Sequence, residues 1–582
     1  MKKKTLISLT ALVCLVALFA QDKIYIYRTN GSLLGYLTSA VDSIKLGNSN
    51  TNLTIYQSDA TTTTVTVASV DSMKFASETT PSYTAPTYAD DYSSISSYAN
   101  RLKWNLANVH DPSIVKCGNT WYMYGTDASY GNALSGYGHF PYKFSTDLVN
   151  WYYAGSAMSQ TPPTWIKDSV NAIRARLGLT AITTPYYGYW APCVRKVGNI
   201  YRMYYSVILD NFIGNGLQNT SANFDNTWTE RAFIGMMECS DLATNKWVDK
   251  GYVVSSVSDK TTGTPPWYRS SYTTDWSAYF KWNAIDPTYI VTPERQHWLI
   301  YGSWHCGVVE LQLDSATGKP MNKLTSLANY GTLIARRANS TANRWQGQEG
   351  PEIIYNAQTG YYYLFLAYDE LSVRYNTRVC RSRSITGPFV GYNGTNITTG
   401  GECFPIITHP YKFNNHSGWV GFSHCCVYQD EATGQWYYTS QARLPANTNG
   451  NAYSNAIMMG HVRKIVWTDD GWPVVLPERY ANVPQAQICD NDLVGNWEHI
   501  VLTYSAGTQQ TSTTLTLAAN YVASGAITGT WRFNASTNTL TIGAYKVKVQ
   551  RELDWEASPR VATIVYSGLN SSGLSIWGKK SQ

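Results

Sequence analysis

Charge is scarce in this chain. Only 14% of its 582 residues are Asp, Glu, Lys or Arg, against about 25% in an ordinary soluble protein. With 44% hydrophobic residues beside them, that excludes an intrinsically disordered polymer and argues against a coiled coil or a basic nucleic-acid binder. The formal charge is +6, and Lys2, Lys3 and Lys4 supply three of those charges. The remainder is too weak to name an acidic partner. No CxxC pair exists, and the nine cysteines after Cys14 form an odd set. Neither a thiolate zinc site nor a disulfide framework is indicated. After residue 20 no apolar run is long enough to span a membrane. Phe is sparse too, 14 against 45 Tyr and 21 Trp. Rings with polar tips suit half-buried strands and flat, wet ligands.

What is present begins with a leader. MKKK followed by TLISLTALVCLVALFA has the basic start and short apolar run of a secretory signal. Residues 1–20 are therefore read as a signal peptide, and the protein as exported to the periplasm, cell surface or exterior. Residues 21–78 are strand-like, with two similar stretches, Val41-Asp42-Ser43-Ile44-Lys45-Leu46 and Val70-Asp71-Ser72-Met73-Lys74-Phe75. They predict a small β module. Residues 79–100, rich in Ser, Thr, Tyr and Pro, have the composition of a linker.

The region 101–477 repeats one grammar five times. An opening of a few residues leads into a strand, a turn carrying Gly, Asn or Gln, and a second aromatic strand. The copies are HDPSIVKCGNTWYMYGT from His110, WAPCVRKVGNIYRMYYS from Trp190, IDPTYIVTPERQHWLIYGS from Ile285, EGPEIIYNAQTGYYYLFLAY from Glu349 and SHCCVYQDEATGQWYYTSQAR from Ser423. Their spacing suits one four-stranded sheet per copy. Radial repetition of such sheets predicts an all-β fold, a five-bladed β-propeller. A sandwich would not explain the recurring opening. The best helix signal is Ile166–Leu177. A long stretch, about 209–282, is dense in Trp and Tyr and is read as a loop over the substrate face. Residues 478–582 alternate like a small β-barrel or sandwich.

If the first strand of each unit lines a common axis, the five openings meet at one mouth. Asp111, Asp286 and Glu349 then converge. Carboxylates at a mouth lined by Trp and Tyr point to acid–base work on a sugar. Glycoside hydrolysis uses one carboxyl as acid and another as base or nucleophile, and a third can orient the acid. Cys193 has no base near it in sequence and is read as structural.

HDPSIV at 110–115, NAIDP at 283–287, EGP at 349–351 and SHCCV at 423–427 resemble glycoside hydrolase family 43, and within it the extended endo-α-1,5-L-arabinanases with a C-terminal barrel. The resemblance implies an inverting mechanism. Asp111 would be the general base, Asp286 the residue that tunes and positions the acid, and Glu349 the general acid. It also implies a calcium ion in the central channel, held in part by His424. Here the neighbours of that histidine are Cys425 and Cys426 rather than polar residues, and Cys193 stands where many family members carry a carboxylate. His110, Trp190, Trp304 and Arg378 are the candidate substrate-binding residues, with Arg378 expected to touch Asp111 or Asp286. The implied partner is arabinan or its oligosaccharides, with no nucleic acid, and the implied state is a monomer. Two alternatives stand beside this reading. One is an exo-acting α-L-arabinofuranosidase or β-xylosidase; the other is a non-catalytic carbohydrate-binding propeller.

Overall fold

The computed structural model describes residues 22–47, 50–77, 82–127, 138–222, 225, 227–258, 280–338, 346–413 and 416–581. The leader lies outside these residues, as do Trp267, Tyr268, Tyr272, Trp276 and Tyr279 of the expected substrate-face loop.

Five four-stranded antiparallel sheets follow one another along residues 113–475, each laid down in chain order. Their first strands are Ser113–Cys117, Tyr187–Val197, Thr288–Val291, Gln348–Asn356 and Val420–Gln429. Each is one arm of a hairpin predicted from the five copies. The partner arms, such as Thr120–Tyr124 and Tyr361–Tyr368, are runs of aromatic and β-branched residues that fill a pleated surface well. In the first hairpin Gly118 takes φ 58° between paired Cys117 and Thr120, the backbone a tight two-residue turn demands.

The first strand of each sheet touches that of the next, and the fifth touches the first. The five sheets therefore close a ring, with their first strands innermost. Separate apolar cores fill the gaps between neighbours. One holds Tyr142, Tyr189, Met203 and Phe233 between the first and second sheets. Another holds Tyr204, Ile234, Tyr289 and Leu299 between the second and third. Each such side chain contributes roughly 1.5–3 kcal/mol by leaving water.

The predicted helix is Thr164–Arg176, and its buried residues Ile166, Val170 and Arg174 recur every fourth position. The stretch 209–282 is not all loop. It includes the outer strands of the second sheet, Ala232–Cys239 and Val248–Ser255.

Residues 495–580 form a closed eight-stranded barrel. Trp497, Leu515, Trp531, Phe533, Val547 and Tyr566 pack its interior. The N-terminal module is two three-stranded sheets, and the two look-alike stretches, Val41–Leu46 and Val70–Ala76, fall one in each. Each follows a short 3-10 turn. The connecting residues 82–100 are pinned rather than loose. Asp90 pairs with Arg479 at 2.6 Å, and Arg560 grips the carbonyls of Pro86 and Tyr88.

Candidate active site

Five residues stand at equivalent places on, or two residues before, the inner strands: Asp111, Ala191, Asp286, Gly350 and His424. All five are left-handed, with φ of 47°, 43°, 57°, 53° and 51°. Four precede proline, which steers the residue before it away from the right-handed helical region. For non-glycine residues the left-handed region costs roughly 1–2 kcal/mol each. The ladders also break there, between Trp190 and Cys193, Glu349 and Glu352, and Ser423 and Cys426. Such bulges re-aim side chains, here toward the axis.

The two aspartates are fixed alike. Asp111 N–H donates to Gln441 Oε1 at 2.8 Å and Asp286 N–H to Ser206 Oγ at 3.0 Å. Each acceptor lies on the second strand of the preceding sheet. Thr126 Oγ1 donates to Asp111 Oδ2 at 2.6 Å, and Gly350 N–H donates to Asp286 Oδ2 at 3.0 Å. Glycine suits position 350. A Cβ there would stand 3.0 Å from the His424 ring, on a backbone at φ 53°.

Glu349 belongs to a different register, one residue before the equivalent place. Ser303 Oγ, Trp304 Nε1 and Tyr375 Oη donate to its carboxylate at 2.8, 2.9 and 2.7 Å. His424 Nδ1 stands 2.9 Å from Asp111 Oδ1 and 3.4 Å from Tyr375 Oη. Asp111 and Glu349 are thus joined through His424 and Tyr375. His110 Nε2 completes the surroundings of Asp111 at 3.3 Å.

The charges separate these groups. Burial alone would raise the pKa of Asp111, but the charges of His110 and His424, with hydrogen bonds from His424 and Thr126, outweigh it and hold the carboxyl well below the usual range. Burial raises Asp286, and Glu349 and Asp111 add to the rise. Against the opposing pull of His424 it is pushed up to about 7. Burial would lower His424, yet Asp111, Asp286 and Glu349 push it up to about 10. Opposed shifts of this kind inside one buried cluster mark a candidate functional site.

Beside Glu349 lies a cavity of about 430 Å³, lined by Trp190, Trp228, Phe280 and Trp304 among others. Trp190 and Trp304, the two tryptophans expected at the substrate, both line this cavity. Arg378 does not. It sits on the third strand of its sheet, away from the axis. Its guanidinium packs on Tyr368 and Tyr504 and pairs with Glu402, so it touches neither aspartate. Tyr375, Ser303 and Thr126 escaped the sequence reading. Tyr and Ser are too common here to stand out, and only the fold brings them to a carboxylate.

Beneath the carboxylates, two residues further along each strand, a second layer consists of Ser113, Cys193, Thr288, Glu352 and Cys426. Between this layer and the one above lies a cavity of about 20 Å³, lined by Ser113, Cys193, Arg195, Glu352 and Cys426 on one side and by Asp111, Asp286 and His424 on the other. This donor set does not suit calcium, which takes 6–8 oxygens. Two of the second layer's five places offer sulfur, and its one carboxylate is already engaged by Arg195, Thr288 and the Val427 N–H, while of the carboxylates above, Asp111 is held by Thr126 and His424 and Asp286 by the Gly350 N–H.

Carboxylates gathered beside a tryptophan-walled cleft are the equipment for acid–base cleavage of a glycosidic bond, and the chain is a glycoside hydrolase. It belongs to glycosyl hydrolases family 43, whose model matches residues 106–473. A C-terminal lipocalin-like domain model matches residues 477–578. The chain is 26% identical over 506 residues to extracellular endo-alpha-(1->5)-L-arabinanase 2 of Bacillus subtilis (strain 168), covering 83% of this chain and 95% of that protein. It is 26% identical over 381 residues to the extracellular exo-alpha-(1->5)-L-arabinofuranosidase ArbA of Cellvibrio japonicus (strain Ueda107), covering 63% and 86%. Among solved structures, endo-1,5-alpha-L-arabinanase from Thermotoga petrophila RKU-1 aligns with a TM-score of 0.62 at 23% identity, covering 82% of this chain and 99% of that one.

Proposed function

We propose that this chain is an exported, inverting hydrolase that cuts α-1,5-linked L-arabinan internally, acting as a monomer on a five-bladed β-propeller. The observation that carries the reading is the contact line Asp111–His424–Tyr375–Glu349, with Asp286 bonded to the Gly350 N–H beside it. Asp111, kept ionised, takes a proton from water as the water oxygen bonds to the anomeric carbon. The glycosidic C–O bond breaks, Glu349 gives its proton to the leaving oxygen, and the sugar leaves inverted. Asp286 fixes the backbone beside Glu349 through the Gly350 N–H. Trp190 and Trp304 offer faces for furanose rings, and His110 holds Asp111. Export is supported by the basic, apolar leader and by relatives named as extracellular.

The test is turnover of linear arabinan by Glu349→Gln and Asp111→Asn, with binding of arabino-oligosaccharides followed by calorimetry. Each variant is expected to lose roughly 10²–10⁴ in rate while still binding. Wild-type turnover in both would end the assignment. Chromatography of early products separates the modes of action. Mixed oligosaccharides are expected, and release of a single short product from chain ends would instead make the enzyme exo-acting.

A further inference from the structure

The layer beneath the catalytic carboxylates is closed by an ion pair. Arg195 lies two residues beyond Cys193 on the second inner strand, and its Nη2 lies 2.5 and 2.6 Å from the two oxygens of Glu352. Glu352 is 3% exposed. Its Oε2 also accepts from Thr288 Oγ1 at 2.7 Å, and its Oε1 from the Val427 N–H at 2.9 Å. Arg195 Nη1 meets the Val194 carbonyl at 3.1 Å and Cys426 Sγ at 3.6 Å. This one pair therefore joins the second, third, fourth and fifth inner strands. Those strands carry, two residues above the layer, Ala191, Asp286, Gly350 and His424.

We propose that the Arg195–Glu352 pair is this chain's built-in replacement for a channel metal ion, so that the hydrolase holds its carboxylates in place without calcium. The proposal takes the carboxylates as catalytic, as argued above, but its metal arm is independent of any activity. Three observations carry it. A covalently tethered cation, the Arg195 guanidinium, lines the cavity between the two layers. Glu352 has both oxygens engaged, and Asp111 and Asp286, which line the same cavity, are held by Thr126, His424 and the Gly350 N–H. Two of the remaining four places in the layer are thiols, soft ligands unsuited to a hard cation. The space left, about 20 Å³, is about that of one water. Arg195 is in this account a positioning residue. It acts through Glu352 on the strands that present Asp286 and His424, and it touches no substrate.

The experiment uses the full chain. The purified protein is dialysed against a chelator, then against excess calcium, and its metal content and thermal midpoint are read in both states. No calcium that depends on His424 is expected, and the midpoint and kcat should be the same in both states. About one calcium per chain that vanishes in His424→Ala, with a loss of kcat on chelation on the order of tenfold or more, would overturn the proposal. Because Arg195→Ala alone strands a buried carboxylate and risks misfolding, the paired variant Arg195→Met with Glu352→Gln is measured too. It is expected to stay folded and to lose kcat by about tenfold or more at little change in KM, and Arg195→Lys is expected to recover part of that loss. Wild-type kcat in the paired variant would overturn the positioning role. A chain inactive on arabinan but free of calcium would count against the substrate reading alone.

Discussion

Tyr375 donates its hydroxyl to Glu349 Oε1 over 2.7 Å while standing 3.4 Å from His424 Nδ1. One phenol thus bridges Glu349 to the imidazole that pairs with Asp111. Tyr375→Phe removes that hydroxyl and little volume. A hydrogen bond to a carboxylate is worth about 1.5–3 kcal/mol. The expected result is a fall in kcat on the order of 10- to 100-fold, with a thermal midpoint close to wild type, read by steady-state kinetics and calorimetry.

Gly350→Ala should damage the site from the backbone. Its methyl group would press on the His424 ring at 3.0 Å, at a φ of 53° that alanine adopts with strain. A destabilisation of about 1–3 kcal/mol is expected, visible as a lowered midpoint in denaturant. Displacement of His424 should also cut kcat by roughly tenfold or more. Wild-type kinetics would mean that the ring has room to move.

Lys579 ties the barrel to the ring. Its ammonium contacts Asp554 at 2.9 Å, Glu556 at 2.7 Å and Glu478 at 3.2 Å, and its side chain is 2% exposed. Lys579→Met would leave three buried acids without their cation. Removing one partner of a buried pair costs about 3–5 kcal/mol. Calorimetry should show a lower, broadened transition near pH 8. The deficit should shrink as acid protonates the stranded carboxyls.

His499 gives the barrel an acid limit. Burial lowers its pKa to about 4, while the unfolded side chain titrates near 6.5. Between those values the unfolded chain binds the extra proton, so stability falls as pH drops from about 6.5 to about 4. Above that window His499 is neutral in both states and contributes no slope. The window amounts to roughly 3 kcal/mol, at about 1.4 kcal/mol per pH unit. In His499→Gln the slope of unfolding free energy against pH should flatten there, as measured by urea titration at several pH values.

The five openings were legible because chemistry and backbone demand coincide in them. Asp-Pro at 111–112 and 286–287 and Gly-Pro at 350–351 mark both the acids and the left-handed turn that aims them. Cys193 and Arg195 lie two residues apart on one strand and so share a face. That was the available signal that Arg195 points inward, yet Arg195-Lys196 together look like solvent-facing charge. Arg378 misled for the opposite reason. Closeness in sequence to Glu349 says nothing about which of four strands a residue occupies. Tyr375 was not legible, because its hydroxyl reaches Glu349 across the sheet. The barrel was visible in its alternation, while its closure depends on pairing Gly495–Val501 with Ser575–Lys580, which periodicity alone does not specify.

Ala191 shares the backbone posture of Asp111 and Asp286, and its N–H is anchored to Thr126 Oγ1 at 2.8 Å. It brings only a methyl group to the centre. The scaffold has thus already met the conformational cost of a station that carries no chemistry. A new donor or acid grafted there would arrive aimed at the reaction centre with the main chain untouched, which makes this silent position the natural foothold for redesigning what the ring cleaves.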